Sequence, residues 1–287
     1  MSSATVGRPA TRRPGRRRRA PGWVPDQHGA WAMITVPPLV GIALSGPAWA
    51  HVPLLGLWWV GYLAFFAVGL WLRSRRRPRY LPAARTYALA TVPLAAALLV
   101  TAPSLAVWAL PYAPLVAVTL WCSARRKDRS LLNDAVTVTA AGLMTAVAYD
   151  AGTAGWWGAP GSAVGLPGTS PDGALTGWAR TWLVTGLVTA YFLGTVLYVK
   201  TNIRERGNRT YLLASVAFHL AGAVATAALA VVGTVGAAHA VVWAALAVRA
   251  AAVPLVGARR GRPVRPLALG VGEIVFSVLV AVTLLAG

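Results

Sequence analysis

From residue 30 onward the chain alternates long apolar blocks with short polar or charged breaks. Cutting at charge clusters and Pro/Gly breaks leaves nine blocks: 30–49, 53–72, 84–102, 104–122, 133–150, 178–199, 210–232, 235–256 and 267–286. Each holds about 18–23 residues, which at ~1.5 Å rise per residue crosses a ~30 Å hydrocarbon core. The pattern predicts an all-α fold, a polytopic transmembrane helical bundle of about nine spans. Blocks three and four are separated only by Ala102, Pro103 and Ser104, which predicts a tight helical hairpin. Pro37 and Pro38 predict a kink in the first span, with the freed carbonyls satisfied by neighbouring helices or water. The longest break, 151–177, is rich in Gly, Pro and Ser and predicts an interfacial loop with Trp156 and Trp157 at headgroup level.

Composition agrees: 57% of residues are hydrophobic, 12% are charged and the mean hydropathy is +0.60. That charged fraction is about half the ~25% of soluble domains. A soluble globular domain is excluded, and so is disorder beyond the first 22 residues. The formal charge of +20 would point to nucleic acid on a soluble protein. Here all Lys and Arg except Arg180 and Arg249 lie in five segments flanking spans, 1–29, 73–85, 123–130, 200–209 and 257–266. Nine alternating spans put all five on one side, so the positive-inside rule predicts a cytoplasmic amino terminus and an external carboxyl terminus. No nucleic-acid partner is expected.

Residues 1–22 lack the apolar core and cleavage site of a signal peptide. They read as a disordered basic cytoplasmic tail that adheres to anionic lipid headgroups. Residues 23–287 then form a single transmembrane domain. The lone Cys122 excludes an intrachain disulfide, and His28, His51, His219 and His239 are too scattered for a metal site.

Polar residues near the basic breaks are the candidate chemistry, because polar groups in lipid are costly and need a reason. Asp26, Gln27 and His28 open the first span, as an acid/base or ligand group or as capping residues with Trp31 as anchor. Ser130 is a candidate N-cap of the fifth span, which carries Asn133, Asp134 and Thr137 beside Asp128. Lys200 and Arg204 stand at i, i+4 at the end of the sixth, and Tyr211, Ser215 and His219 form an i, i+4, i+8 stripe in the seventh. Gln27, His28, Asp128, Asn133, Asp134, Lys200, Arg204 and His219 are the candidate ligand-binding set. Convergence of His28, Asp134, Lys200, Arg204 and His219 on one cytoplasmic-side cavity would leave it net positive and suited to a small anionic or lipid-like ligand. Arg249 and Glu273, at similar depth in the last two spans, read as a structural ion pair.

Three segments together resemble the YwiC-like family of bacterial membrane proteins: Pro25-Asp26-Gln27-His28-Gly29-Ala30-Trp31-Ala32-Met33, Lys127-Asp128-Arg129-Ser130-Leu131-Leu132-Asn133-Asp134, and Tyr198-Val199-Lys200-Thr201-Asn202-Ile203-Arg204-Glu205. The resemblance covers about residues 23–225. It implies a multi-pass protein of the bacterial inner (plasma) membrane and implies no particular reaction. A weaker, architectural similarity is to the UbiA prenyltransferases, with segment 77–85 similar to a stretch after their first motif. That alternative implies a transferase acting on a prenyl diphosphate with magnesium as cofactor. The aspartate-rich motifs it requires are missing, and the cytoplasmic-side carboxylates are only Asp26, Asp128, Asp134 and Glu205.

Overall fold

The computed structural model describes residues 22–25, 28–153, 168–169, 175–259 and 264–287. Among them are nine α-helices: α1 (His28–Ser45), α2 (His51–Arg73), α3 (Leu81–Thr101), α4 (Ala109–Ala124), α5 (Leu131–Thr153), α6 (Gly177–Ile203), α7 (Arg209–Val231), α8 (Ala237–Arg259) and α9 (Pro266–Leu285). The helices coincide with the nine apolar blocks. Eight helical segments are long and apolar enough to cross a membrane, that of α4 counted with the 3-10 turn Pro103–Trp108 before it; α1 is shorter. Gly168–Thr169 and Leu175–Thr176 form a two-residue antiparallel pair between α5 and α6. Residues 1–21, Trp156 and Trp157 lie outside the described residues. Trp23, at the start of the described chain, stands edge-on to Tyr87 at 5.6 Å, and its carbonyl accepts the Tyr87 hydroxyl at 2.8 Å.

The helix ends at the basic breaks are closed by local chemistry. Ser130 Oγ accepts the Asn133 amide at 3.2 Å at the start of α5, and Asn208 Oδ1 accepts the Thr210 amide at 3.1 Å at the start of α7. The chain leaves α2 and α4 through arginines in the left-handed region, Arg75 and Arg76 after α2 and Arg126 after α4. This turns the Arg76 and Lys127 amides back onto the Trp71 and Cys122 carbonyls at 2.8 and 2.7 Å. A cation at that end also meets the negative pole of the helix.

In the tertiary arrangement α1 lies along α5 and touches α9, α5 packs on α6, and α7 pairs with α8. Two of these contacts require glycine. A Cβ on Gly41 of α1 would sit 2.2 Å from the Thr145 carbonyl oxygen of α5, and one on Gly142 would sit 1.9 Å from Thr189 Oγ1 of α6. Lipid offers helices no hydrophobic gain on associating, so close backbone approach through small residues takes its place. The main core, around Val40, Val138, Val188, Tyr191, Trp243 and Leu246, forms where these helices meet.

Two expectations about α1 to α4 are settled by this packing. α1 runs as helix through Pro37 and Pro38. Pro38 has no amide to offer the Ile34 carbonyl, and Trp58 Nε1 of α2 donates to it instead at 2.7 Å. The tight hairpin of spans three and four is corrected. The turn is short, but α3 packs along α2 while α4 lies on α5 and α2, and α3 and α4 meet only through the 3-10 turn Pro103–Trp108. The helices splay because each has a better partner than the other.

Candidate functional site

The ends of α2, α4 and α6 and the start of α5 gather into one polar layer at the basic end of the bundle. Lys200 is buried and forms an ion pair with Asp134, and its Nζ donates to the Arg129 carbonyl at 3.0 Å. Arg73 Nη1 lies 3.5 Å from Asp128 Oδ2. Asn133 Nδ2 donates to the Asp128 carbonyl at 2.9 Å, and its buried Oδ1 has no hydrogen-bond partner. The layer thus ties α2, α5 and α6 together, and each converging cation already faces a carboxylate.

The remaining candidates are elsewhere. Arg204 caps the carboxyl end of α6 and is exposed. His219 is buried against α6 at Gly194, where an added Cβ would lie 2.9 Å from its Nε2, and its Nδ1 bonds the Ser215 carbonyl at 2.7 Å. Lys200 is six residues farther along α6, about 9 Å away by helix rise and on another face. His219 and Arg204 therefore do not join Lys200 and Asp134 in a common cavity. Gln27 and the His28 side chain lie outside the described residues.

His219 instead neighbours a second network in the α6–α9 half. Arg249 Nη1 donates to Glu273 Oε1 at 2.6 Å, and Glu273 Oε2 accepts from Thr195 Oγ1 at 2.8 Å and the Tyr191 hydroxyl at 3.3 Å. The guanidinium carbon lies over the Tyr198 ring at 4.0 Å and over the Phe276 ring at 4.5 Å. Two cation–π contacts support a charge that bilayer depth would otherwise expel. The arrangement locks α6, α8 and α9.

The feature that residue spacing did not reveal is a cavity of about 610 Å³ among α1 to α5. Leu57, Tyr62 and Phe65 of α2 line one wall, Ala140 and Met144 of α5 another, and Leu99 of α3 faces Val116 of α4 across the splay. Leu99 and Val116 are exposed while Leu54, Thr119 and Met144 are buried, so the cavity opens to lipid between α3 and α4. Among the described residues no charged side chain lines it. At the end remote from the basic layer, Trp108 Nε1 donates to Asp150 Oδ2 at 2.8 Å, and the other oxygen of this fully buried carboxyl is unpartnered. An Asp as the last residue of the fifth apolar block was the one sequence signal for this corner. The cavity itself left none, because an apolar lining looks like any lipid-facing surface.

A metal-held diphosphate has no support here. Among the described residues no three His, Cys, Asp or Glu side chains come together. Asp128 and Asp134 are each turned to a cation rather than to one another.

Comparison with known proteins agrees with the sequence motifs at the start of α1 and α5. Residues 24–149 match the model of the YwiC-like protein family. The uncharacterized protein YwiC of Bacillus subtilis (strain 168) is 32% identical over 197 residues, 69% of this chain and 74% of the relative. An uncharacterized protein of Haemophilus influenzae is 29% identical over 197 residues, with the same two shares. No solved structure matches the chain, and no similarity to UbiA prenyltransferases accompanies these matches. With two of the three motifs inside the family's boundaries and a relative 32% identical over 74% of its own length, the chain belongs to the YwiC-like family.

Proposed function

We propose that this protein binds a lipid-like molecule inside the bilayer, with its chain in the α1–α5 cavity and its path in between α3 and α4. One observation carries the reading: a cavity of about 610 Å³ whose described lining is mostly apolar and carries no charge and whose open side faces lipid. That volume falls within the ~300–1,000 Å³ of small-molecule sites. The polar layer supports a lipid-like ligand over a small anion, because Lys200 and Arg73 are already matched by Asp134 and Asp128. The exposed rim cations, Arg75, Arg76, Arg125 and Arg126, suit the anionic headgroups of the surrounding cytoplasmic leaflet. They support reading the basic end as cytoplasmic and the host membrane as a bacterial inner membrane.

Gly61 gives a clean test. It lines the cavity, and a Cβ added there meets no atom within 4 Å. Gly61→Leu fills the space without a clash, and leucine is favoured over glycine in a helix by roughly 0.5–1 kcal/mol. Native mass spectrometry of purified protein should show a retained lipid-like molecule on the natural chain and none on Gly61→Leu, with thermal unfolding unimpaired. Equal retention by both overturns the proposal.

A further inference from the structure

Among the described residues, every polar N–H or O–H side chain lining the cavity but one is hydrogen-bonded. Trp58 donates to the Ile34 carbonyl, Trp108 to Asp150, and the Tyr112 hydroxyl to the Ala140 carbonyl at 2.8 Å. Thr91, Thr119 and Thr137 turn their hydroxyls back onto carbonyls of their own helices, Ala88, Val116 and Asn133, at 2.7, 2.9 and 2.7 Å. That leaves Tyr62. Its ring stands edge-on to Trp31 at 5.9 Å, and its hydroxyl meets no hydrogen-bond partner among the described residues. Tyr62 is the central residue of α2, about 16 Å from either end, and so lies near the bilayer midplane.

We infer that the ligand is an uncharged lipid whose oxygen function, a quinone-type carbonyl or an alcohol, is hydrogen-bonded by the Tyr62 hydroxyl at mid-bilayer depth. The inference rests on the lipid-binding reading and narrows its ligand class. Burying a charged head in this cavity would require a countercharge that its wall lacks. A neutral oxygen needs one partner, and one is available. The phenol can donate to a carbonyl or exchange a bond with an alcohol, so the two sources share one chemistry.

The test uses the full chain in detergent, with a decyl-substituted benzoquinone, a fifteen-carbon prenol and a single-chain phosphatidylglycerol as probes. Tyr62→Phe keeps the ring against Trp31 and removes only the hydroxyl. The expected result is saturable binding of at least one neutral probe, weakened about five-fold by Tyr62→Phe, as for the loss of one hydrogen bond. Binding of the quinone alone or of the prenol alone assigns the carbonyl or the alcohol. The charged probe should neither bind the cavity nor compete. Gly61→Leu should abolish neutral-probe binding. If Gly61→Leu abolishes it but Tyr62→Phe leaves the Kd unchanged, or the charged probe competes as an equal, the Tyr62 inference falls and lipid binding stands. If Gly61→Leu leaves neutral-probe binding intact, or no neutral probe binds, both fall.

Discussion

Arg249 and Glu273 show what a single charged residue does in this molecule. Each lies about 10–15 Å inside its span, counted from the basic end, and each is nearly buried, at 11% and 5% side-chain exposure. The equal depth of the pair was readable from the chain reversal between α8 and α9. The aromatic clamp was not, because Tyr198 and Phe276 come from α6 and α9 and meet Arg249 only after packing. Glu273→Gln leaves a buried guanidinium without its anion, and Arg249→Ala leaves a buried carboxylate held only by hydroxyls. Each is expected to lower the unfolding temperature in detergent. Breaking such a pair in a soluble interior costs about 3–5 kcal/mol, and a bilayer value nearer 1–2 kcal/mol is expected where survivors find other partners. Unaltered melting for both variants would show that the pair does not hold the helices. At the polar layer, the i, i+4 spacing of Lys200 and Arg204 suggested a shared face, but α6 ends at Ile203, so only Lys200 points inward.

Which helices become neighbours is decided by a few small side chains. Gly142 admits Thr189 so closely that any Cβ would overlap its hydroxyl. Gly142→Leu should therefore destabilise the α5–α6 contact by about 1–3 kcal/mol, the range for overpacking a fitted interior. Gly142→Ala with Thr189→Ala should recover most of the melting temperature lost by Gly142→Ala alone. No recovery would mean that this contact is not where the strain arises. Helix positions and most helix ends were legible from apolar block lengths and from caps such as Ser130. The α3–α4 splay was not. A three-residue break between two blocks brings two helix ends together, yet whether their lengths pack depends on competing partners. α2 takes α3, and α5 takes α4.

For the molecule as a whole, the bundle gathers three of its basic breaks, 73–85, 123–130 and 200–209, at one end, where Arg73 reaches Asp128 and Lys200 reaches Asp134 and the Arg129 carbonyl. The positive-inside rule predicts that this end is cytoplasmic. A reporter fused after Gly287 should therefore report the external side, and reporters within 123–130 and 200–209 the cytoplasm. A cytoplasmic signal after Gly287 would refute nine crossings. The sequence by itself determined that the chain is a helical membrane protein and where its helices run. Those properties follow from how many apolar residues stand in a row and where the charges interrupt them. Only the tertiary structure decided that Lys200 and Asp134 lie apart from His219 and the Arg249–Glu273 pair, and that α3 and α4 part around a cavity where, among the described residues, the Tyr62 hydroxyl is free. Both depend on which face of each helix meets which neighbour. In an apolar chain, lipid-facing, core-facing and cavity-facing residues are chemically alike, so that choice is made by packing and is not written in residue type.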